Sequence, residues 1–280
     1  MQRGDGMARF ELCFNTSTIR PASILEKIRA AGEAGYKAVE LWNEDLTEWE
    51  RAGGKLSELR QVLDDYDLAV PDVVHLSGWM DATDSVFESD LIGEARRLME
   101  QGVAVGAPRI IAGPAHGRVD LNRAADRYCR LIELGQEVGC MPALEFLGFV
   151  AHVNNVDTLM AIVNRANHPE TTVVMDAFHI YRGGGRDEDI LKVPGSQVAI
   201  FHIDDAPQTD RRRETLTDGD RVYPGDGMLN LKKMLEMLAS QGFSGPVSLE
   251  LFNAALWRED AREVARVGAE KVRRLIASVE

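Results

Sequence analysis

The sequence predicts an α/β protein folded as a single closed (β/α)8 barrel, the TIM barrel, on the strength of three observations. Short apolar runs typical of buried strands alternate from end to end with longer amphipathic runs typical of helices. Eight such units in 280 residues amount to about 35 residues each, a length that suits this barrel. No Pro/Gly/Ser-rich linker interrupts the pattern. We therefore expect one domain over residues 1–280, with residues 1–8 as a disordered N-terminal extension.

Strands are expected where Val, Ile, Leu and Phe cluster over short runs. In chain order, the predicted strands are about Phe10–Asn15, Ala38–Trp42, Ala69–Leu76, Arg109–Gly113, Pro142–Phe146, Thr172–Phe178, Val198–Asp204 and Val247–Phe252. Two of the connections are long, namely Leu76–Asp90 after the third strand and Asp205–Met228 after the seventh. In a barrel both would lie over the catalytic mouth, where loops of this length are usually functional.

Helices are expected where apolar residues recur every three or four positions. The predicted helices are Ala22–Ala34, Leu56–Tyr66, Leu91–Val105, Asn122–Val138, Val156–Arg165, Leu229–Ser240 and Asp260–Ser278. Several of them are followed by a glycine, which favours a left-handed C-cap; these glycines are Gly35, Gly106, Gly139 and Gly242.

The composition indicates which kinds of binding partner are disfavoured and which cellular compartment is expected. Lys and Arg total 32 and Asp and Glu total 45, so that the formal net charge is −13. Such a charge repels nucleic acid and anionic membrane surfaces. Cys13, Cys129 and Cys140 are far apart and form no C-x-x-C pair, which favours a reducing compartment. Without an apolar run of membrane-spanning length or a signal-like N-terminus, we expect a cytoplasmic protein that binds neither nucleic acid nor membrane.

Polar residues interrupt the apolar strands in the second half of the chain. A TIM barrel places its chemistry at the C-terminal ends of several strands, and an unpaired charge buried there would cost several kcal/mol. Strands five to eight each carry one such residue, in the strings Ala-Leu-Glu-Phe, Val-Val-Met-Asp, Ile-Phe-His-Ile and Ser-Leu-Glu-Leu. These residues are Glu145, Asp176, His202 and Glu250.

A divalent cation would compensate three carboxylates and one imidazole and leave positions open for substrate oxygens. We therefore predict that Glu145, Asp176, His202 and Glu250 hold one metal ion. Oxygen-rich ligation indicates Mn²⁺, Mg²⁺ or Co²⁺, and Zn²⁺ stays open. For any one of these residues, a structural ion pair with arginine is the alternative.

Several histidines are candidates for substrate contact. His179 follows Asp176 by three residues, just past the predicted strand end, and should face the mouth of the barrel. His75, at the end of the third strand, could line the pocket. His116 and His152 are weaker candidates in neighbouring loops.

Six segments carry a resemblance to a known family. They are Leu-Cys-Phe-Asn at 12–15, Ala-Leu-Glu-Phe at 143–146, Met-Asp-Ala-Phe-His at 175–179, Phe-His-Ile-Asp-Asp at 201–205, Leu-Thr-Asp-Gly-Asp-Arg-Val-Tyr-Pro-Gly-Asp-Gly at 216–227 and Val-Ser-Leu-Glu-Leu-Phe at 247–252. The sequence resembles the xylose-isomerase-like TIM-barrel family of sugar isomerases and epimerases, and within it the subgroup of bacterial inosose (2-keto-myo-inositol) isomerases. The Asp-Arg-Val-aromatic-Pro-Gly string is the most specific element.

The resemblance implies roles for individual residues. Glu145, Asp176, His202 and Glu250 match the family's metal ligands, and the two glutamates also match its proton-transfer groups. His179 matches a substrate-binding histidine and Arg221 a basic residue that reaches substrate oxygens. The regions around Trp42 and His75 depart from the inosose enzymes, although both residues are expected in the substrate wall.

The predicted function is therefore a metal-dependent isomerase or epimerase of a keto-polyol or ketose, similar to inosose isomerase. It would act by proton transfer through an enediolate, on a small sugar or cyclitol and with no nucleotide cofactor. The alternatives on the same barrel are a dehydratase of inosose or 3-dehydroshikimate and a ketohexose 3-epimerase. A DNA endonuclease is disfavoured by the charge of −13 and by only six histidines, and a barrel that binds a polyol without turnover is the third class. A homo-oligomer is compatible with the sequence.

Overall fold

The computed structural model describes residues 10–279, and the predicted extension at residues 1–8 lies outside them. Eight parallel strands follow one another around a closed barrel, and β1 pairs with both β2 and β8. The strands are β1 Phe10–Asn15, β2 Ala38–Trp42, β3 Val73–Leu76, β4 Arg109–Ala112, β5 Met141–Leu144, β6 Thr172–Asp176, β7 Val198–Ile203 and β8 Gly245–Leu249. The predicted (β/α)8 barrel is confirmed.

Helices surround the barrel, and the longer ones bury an apolar face, whereas the short α4 has no buried residue. They are α1 Ile24–Glu33, α2 Asn43–Arg51, α3 Leu56–Asp65, the short α4 Asp84–Val86, α5 Ile92–Val105, α6 Leu121–Val138, α7 Val156–Ala166, α8 Ala177–Arg182, α9 Leu231–Ser240 and α10 Ala261–Ala277. Gly106 and Gly139, both predicted as caps, follow α5 and α6 with φ of 89° and 92°. In residues 10–279 we find no helix with the length and apolarity needed to cross a membrane.

Three helices, α2, α4 and α8, and the bounds of six strands, β3 to β8, differ from the sequence prediction. Helix α2 was not predicted, because it is mostly charged and buries only Asn43 and Leu46. The predicted strand Thr172–Phe178 ends at Asp176, whose side chain accepts a hydrogen bond from the His179 main chain and so begins α8. The third strand begins at Val73, because the residues before it make only an isolated bridge.

The barrel interior explains where the polar side chains lie. Seven buried residues on consecutive strands fill the barrel with an apolar layer: Cys13, Ala38, Val74, Ile111, Ala143, Val174 and Ile200. Side chains two residues apart on a strand point to the same face of the sheet. Glu145, Asp176 and His202 each come two residues after a member of this layer, so they lie directly above it, at the C-terminal end of the barrel.

Candidate active site and metal centre

Side chains from four neighbouring strands converge at the C-terminal end of the barrel. The Nδ1 atom of His202 lies 3.5 Å from Oε1 of Glu145, 3.7 Å from Oδ2 of Asp176 and 3.3 Å from Oε2 of Glu250. The pairing of β6 with β7 sets Asp176 directly beside His202. All four residues are buried. The structure therefore brings together the four residues that the sequence analysis singled out as one set.

The donor set fits a divalent cation. His202 Nδ1 is buried and has no hydrogen-bond partner within residues 10–279, although three carboxylates face it. Donor atoms of Asp176, His202 and Glu250 all lie within 4.8 Å of one another. A buried imidazole nitrogen without a hydrogen-bond partner, beside carboxylate oxygens, is the mixed N/O environment that Zn²⁺, Mn²⁺ and Co²⁺ accept.

The pKa values of these groups depend on burial and on one another. Burial raises the pKa of Glu145. Burial alone would also raise the pKa of Asp176, but the positive charge of Arg221 holds it below its usual range. Burial would lower the pKa of the His202 imidazole, yet Glu250 and other carboxylates raise it well above its usual value. The cluster therefore attracts positive charge strongly.

Arg221 is the cation that meets this charge. It lies in the long connection after β7 and is 1% exposed. Its Nη1 atom donates to Oδ2 of Asp176 at 3.0 Å, to Oδ2 of Asp204 at 2.5 Å and to Oε2 of Glu250 at 2.7 Å, while its Nη2 atom donates to Oδ1 of Asp218 at 2.8 Å. In the sequence Arg221 belongs to a charged connection typical of a protein surface, yet in the structure it is buried at the centre of the site.

His179 lies on α8, one turn from Asp176. Its main-chain N–H donates to Oδ1 of Asp176 at 2.5 Å, and its Nε2 atom is 3.0 Å from Nη2 of Arg221. The other ring nitrogen, Nδ1, has no hydrogen-bond partner among the residues described. The Phe149 ring packs edge-on against the imidazole with ring centroids 5.4 Å apart. His179 is therefore held rigidly at the edge of the site.

A cavity of about 160 Å³ opens over these groups. Residues predicted for the site line it: Trp42, His75, Glu145, His179, Arg221 and Glu250. The Trp42 ring lies edge-on to His75 at 5.6 Å and to Phe252 at 5.8 Å between ring centroids. Burial lowers the pKa of His75, which favours its neutral form. The cavity thus has polar groups at its base and aromatic rings on its walls.

The two weaker histidine candidates from the sequence lie elsewhere, and so does Trp79. His116 and His152 are not among the residues that line this cavity, and Nδ1 of His152 accepts a hydrogen bond from the Val119 main chain at 3.2 Å. Trp79 is buried in the core, where its indole donates to the Gly113 carbonyl at 2.9 Å. Their positions suit structural roles.

Asn15 is a residue of the site to which the sequence analysis assigned no role. Its Nδ2 atom donates to Oε1 of Glu250 at 2.9 Å, and its Oδ1 atom accepts from the Trp42 indole, also at 2.9 Å. Asn15 therefore links the aromatic wall to one of the two glutamates. The feature of the sequence that could have identified Asn15 is an amide side chain at the C-terminal end of an apolar strand.

Two buried carboxylates also went unassigned. Glu40 lies in the string Ala-Val-Glu-Leu-Trp of β2, and its Oε2 atom is 3.1 Å from Nε2 of His202. Asp204 follows β7, pairs with Arg221 and accepts a hydrogen bond from the Phe178 main chain at 3.0 Å. The signal that identified the four predicted ligands, a charge within an apolar strand, applies to Glu40 equally.

Comparison with known proteins agrees with this geometry. Residues 28–274 match the model of the family described as the xylose isomerase-like TIM barrel. The chain belongs to this family. Among solved structures of the family's fold, the IolI protein with a bound zinc atom has a TM-score of 0.86 and 25% identity, with 97% of this chain and 99% of that chain covered.

Curated relatives in the xylose isomerase-like family carry enzymatic names. The inosose isomerase of Halalkalibacterium halodurans is 27% identical over 268 residues, which cover 93% of this chain and 94% of the relative. The 3-dehydroshikimate dehydratase of Pseudomonas putida is 24% identical over 246 residues, which cover 87% of this chain but 38% of that longer protein. The chain is therefore similar over most of its length to enzymes of this family.

Proposed function

We propose that the protein is a metal-dependent isomerase or epimerase of a keto-polyol, similar to inosose isomerase. One observation carries the proposal: carboxylate oxygens of Glu145 and Glu250 lie 3.5 Å and 3.3 Å from the same unpartnered imidazole nitrogen of His202, and both glutamates line one cavity. Two carboxylates and a candidate metal ligand around one small cavity are what a proton shift beside a carbonyl needs.

The residues that would hold the metal are Glu145, Asp176, His202 and Glu250. A divalent cation there supplies Lewis-acid chemistry, which polarises a carbonyl and stabilises the negative charge of an enediolate. The ion is proposed as Zn²⁺, Mn²⁺, Mg²⁺ or Co²⁺, and the zinc in the similar IolI structure supports the first.

Proton transfer is assigned to the two glutamates. One removes the proton from the carbon next to the carbonyl, and the other returns a proton to the neighbouring carbon or to the other face of the same carbon. His179 and Arg221 would donate hydrogen bonds to substrate oxygens. Trp42 and Phe252 would pack against the C–H face of the ring, as aromatic walls do in carbohydrate sites.

The charges around the cavity favour an uncharged substrate. Glu145, Asp218 and Glu250 line it, and the lining cation, Arg221, is already paired with several carboxylates. A substrate carboxylate would face these lining carboxylates without an unpaired side-chain cation to receive it, so that only the proposed metal ion would attract it. This supports a keto-polyol over 3-dehydroshikimate. The similarity to dehydratases makes dehydration of an inosose the second candidate.

The test is to incubate the purified protein, loaded in turn with Zn²⁺ and Mn²⁺, with 2-keto-myo-inositol in D₂O and to follow the sample by NMR. We expect deuterium at the carbon next to the carbonyl and a second keto isomer. A loss of water from the product would promote the dehydratase candidate. If a sample that contains metal gives neither exchange nor product, the proposal is wrong. Parallel samples with 3-dehydroshikimate and a ketohexose test the remaining alternatives.

A further inference from the structure

The best-defined unassigned feature is a buried carboxylate beside His202, on the edge of the imidazole ring that faces away from the other proposed ligands. Glu40 of β2 is 0% exposed and its ion-pair partner within residues 10–279 is His202. Its Oε1 atom accepts a short hydrogen bond from the Ser248 hydroxyl, and its Oε2 atom lies 3.1 Å from Nε2 of His202. Three strands that lie apart in the sequence thus meet at one carboxylate.

Asp72 is a second buried acid whose charge interacts with that of Glu40. It is 2% exposed, and its Oδ1 atom has no hydrogen-bond partner among the described residues. Burial and then the negative charge of Glu40 raise the pKa of Asp72. Burial and the charge of Glu40 therefore both disfavour ionisation of Asp72.

The two edges of the His202 ring face different groups. Nδ1 points to the carboxylates of Glu145, Asp176 and Glu250, whereas Nε2 points to Glu40. An imidazole that uses Nδ1 as a metal ligand must carry its proton on Nε2, and a carboxylate that accepts this proton holds the ring in that tautomer. Glu40 lies on the opposite edge of the ring from the ligand cluster, so it cannot bind the same ion.

We propose that Glu40 is the positioning residue of the metal centre: its carboxylate, held by Ser248, fixes the orientation and tautomer of His202. The inference rests on the metal site of the proposed function. It explains why a charged side chain lies inside the barrel, where an apolar residue of similar size would pack at lower cost.

The experiment measures Zn²⁺ affinity directly. Protein stripped of metal is titrated with Zn²⁺ against a chelating dye, for the wild type and for Glu40→Gln, Glu40→Ala and Ser248→Ala. Loss of such a partner weakens metal binding by roughly 10- to 100-fold, so we expect that range for Glu40→Ala. Smaller losses are expected for Glu40→Gln, whose amide oxygen can still accept the Nε2 proton, and for Ser248→Ala, which only loosens Glu40.

A matched control separates positioning from stability. Lys27→Met breaks a partly buried ion pair between Lys27 of α1 and Asp45 of α2 at 2.8 Å, and neither residue contacts a proposed metal ligand through a hydrogen bond. We expect it to lower the melting temperature without changing Zn²⁺ affinity. The absorption spectrum of the Co²⁺-loaded protein is the second readout, because a turned or differently protonated imidazole changes the ligand field.

The outcomes are distinguishable. If the wild type binds one Zn²⁺ and the folded Glu40 variants bind it within about threefold of the wild type with an unchanged Co²⁺ spectrum, Glu40 does not position His202. Should Glu40→Ala not fold, the Co²⁺ spectrum of Ser248→Ala decides: a spectrum that differs from the wild type supports the proposal, and an identical one overturns it. If the wild type itself binds no Zn²⁺, the metal site fails and the inference fails with it.

Discussion

The Oε2 atom of Glu250 lies 2.7 Å from Nη1 of Arg221 and 3.3 Å from Nδ1 of His202. One carboxylate oxygen therefore faces both the buried guanidinium and the imidazole nitrogen assigned to the metal. Oδ2 of Asp176 has the same two neighbours, at 3.0 Å and 3.7 Å. A bound cation and Arg221 would compete for the same oxygens.

The competition predicts the effect of removing the guanidinium. Arg221→Gln should bind Zn²⁺ roughly three- to thirtyfold more tightly than the wild type, because one like charge near the ion is lost. Turnover should fall at the same time, since a donor to substrate oxygens is removed. Calorimetric titration measures the affinity, and Arg221→Lys, which keeps the charge, should stay near the wild type. Weaker binding by Arg221→Gln alone would count against competition.

The same variant should depend on metal for stability. Breaking a buried ion pair costs about 3–5 kcal/mol, because the carboxylates of Asp176 and Asp204 lose their partner. We expect the metal-free Arg221→Gln protein to melt well below the wild type and Zn²⁺ to recover most of the difference. Thermal unfolding with and without Zn²⁺ checks this, and an equal metal shift in both proteins would contradict it.

Substitutions of the ligand set should separate binding from proton transfer. Asp176→Asn and His202→Ala should lose metal, whereas Glu250→Gln should retain some metal and lose C–H exchange by roughly 10²- to 10⁴-fold, because an amide cannot act as a base. Elemental analysis gives the metal content and NMR in D₂O the exchange rate. Undiminished exchange in Glu250→Gln would leave Glu145 as the base.

Asp72 should make stability depend on pH. Burial and Glu40 raise the pKa of Asp72 in the folded state, so the folded protein holds the proton more tightly than the unfolded chain. The contribution of Asp72 to the free energy of unfolding is fully present at pH values below the usual carboxyl pKa. It is lost as the pH rises through the raised pKa of the folded state, by at most about 1.4 kcal/mol per pH unit.

Asp72→Asn removes this titration and keeps the size of the side chain. In urea unfolding of metal-free protein at pH 5, 7 and 9, we expect the stability of the variant relative to the wild type to increase with pH. A constant difference across this range would show that Asp72 ionises normally.

Trp42 should act on substrate binding more than on chemistry. Its ring forms part of the cavity wall and its indole N–H donates to Asn15 at 2.9 Å. Trp42→Ala should raise KM roughly three- to tenfold, because the aromatic face is lost. Trp42→Phe keeps an aromatic wall and frees Asn15, so a fall in kcat with this variant would assign the effect to the Asn15 to Glu250 contact instead. Steady-state kinetics on the keto-polyol distinguishes the two.

Sequence periodicity determined the barrel, because strand and helix patterns are local and each repeats about the same unit length. It also identified Glu145, Asp176, His202 and Glu250, since a charge within an apolar strand is unfavourable unless a partner is present. Helix α2 escaped prediction because its sequence is nearly all polar and it buries few residues. The start of α8 depended on a cap made by Asp176, which could equally have ended a strand.

Only the closed barrel decided which groups face one another. Glu40 and His202 are 162 positions apart in the chain, and they meet because β2 and β7 point side chains into the same interior. Arg221 belongs to a charged connection whose composition resembles a solvated loop, yet its guanidinium is buried among carboxylates from different strands. The local sequence shows that a charged side chain will be buried at an energetic cost. It does not show which residue offsets that cost, because that partner lies on a distant strand whose end comes within hydrogen-bond range only when the barrel closes.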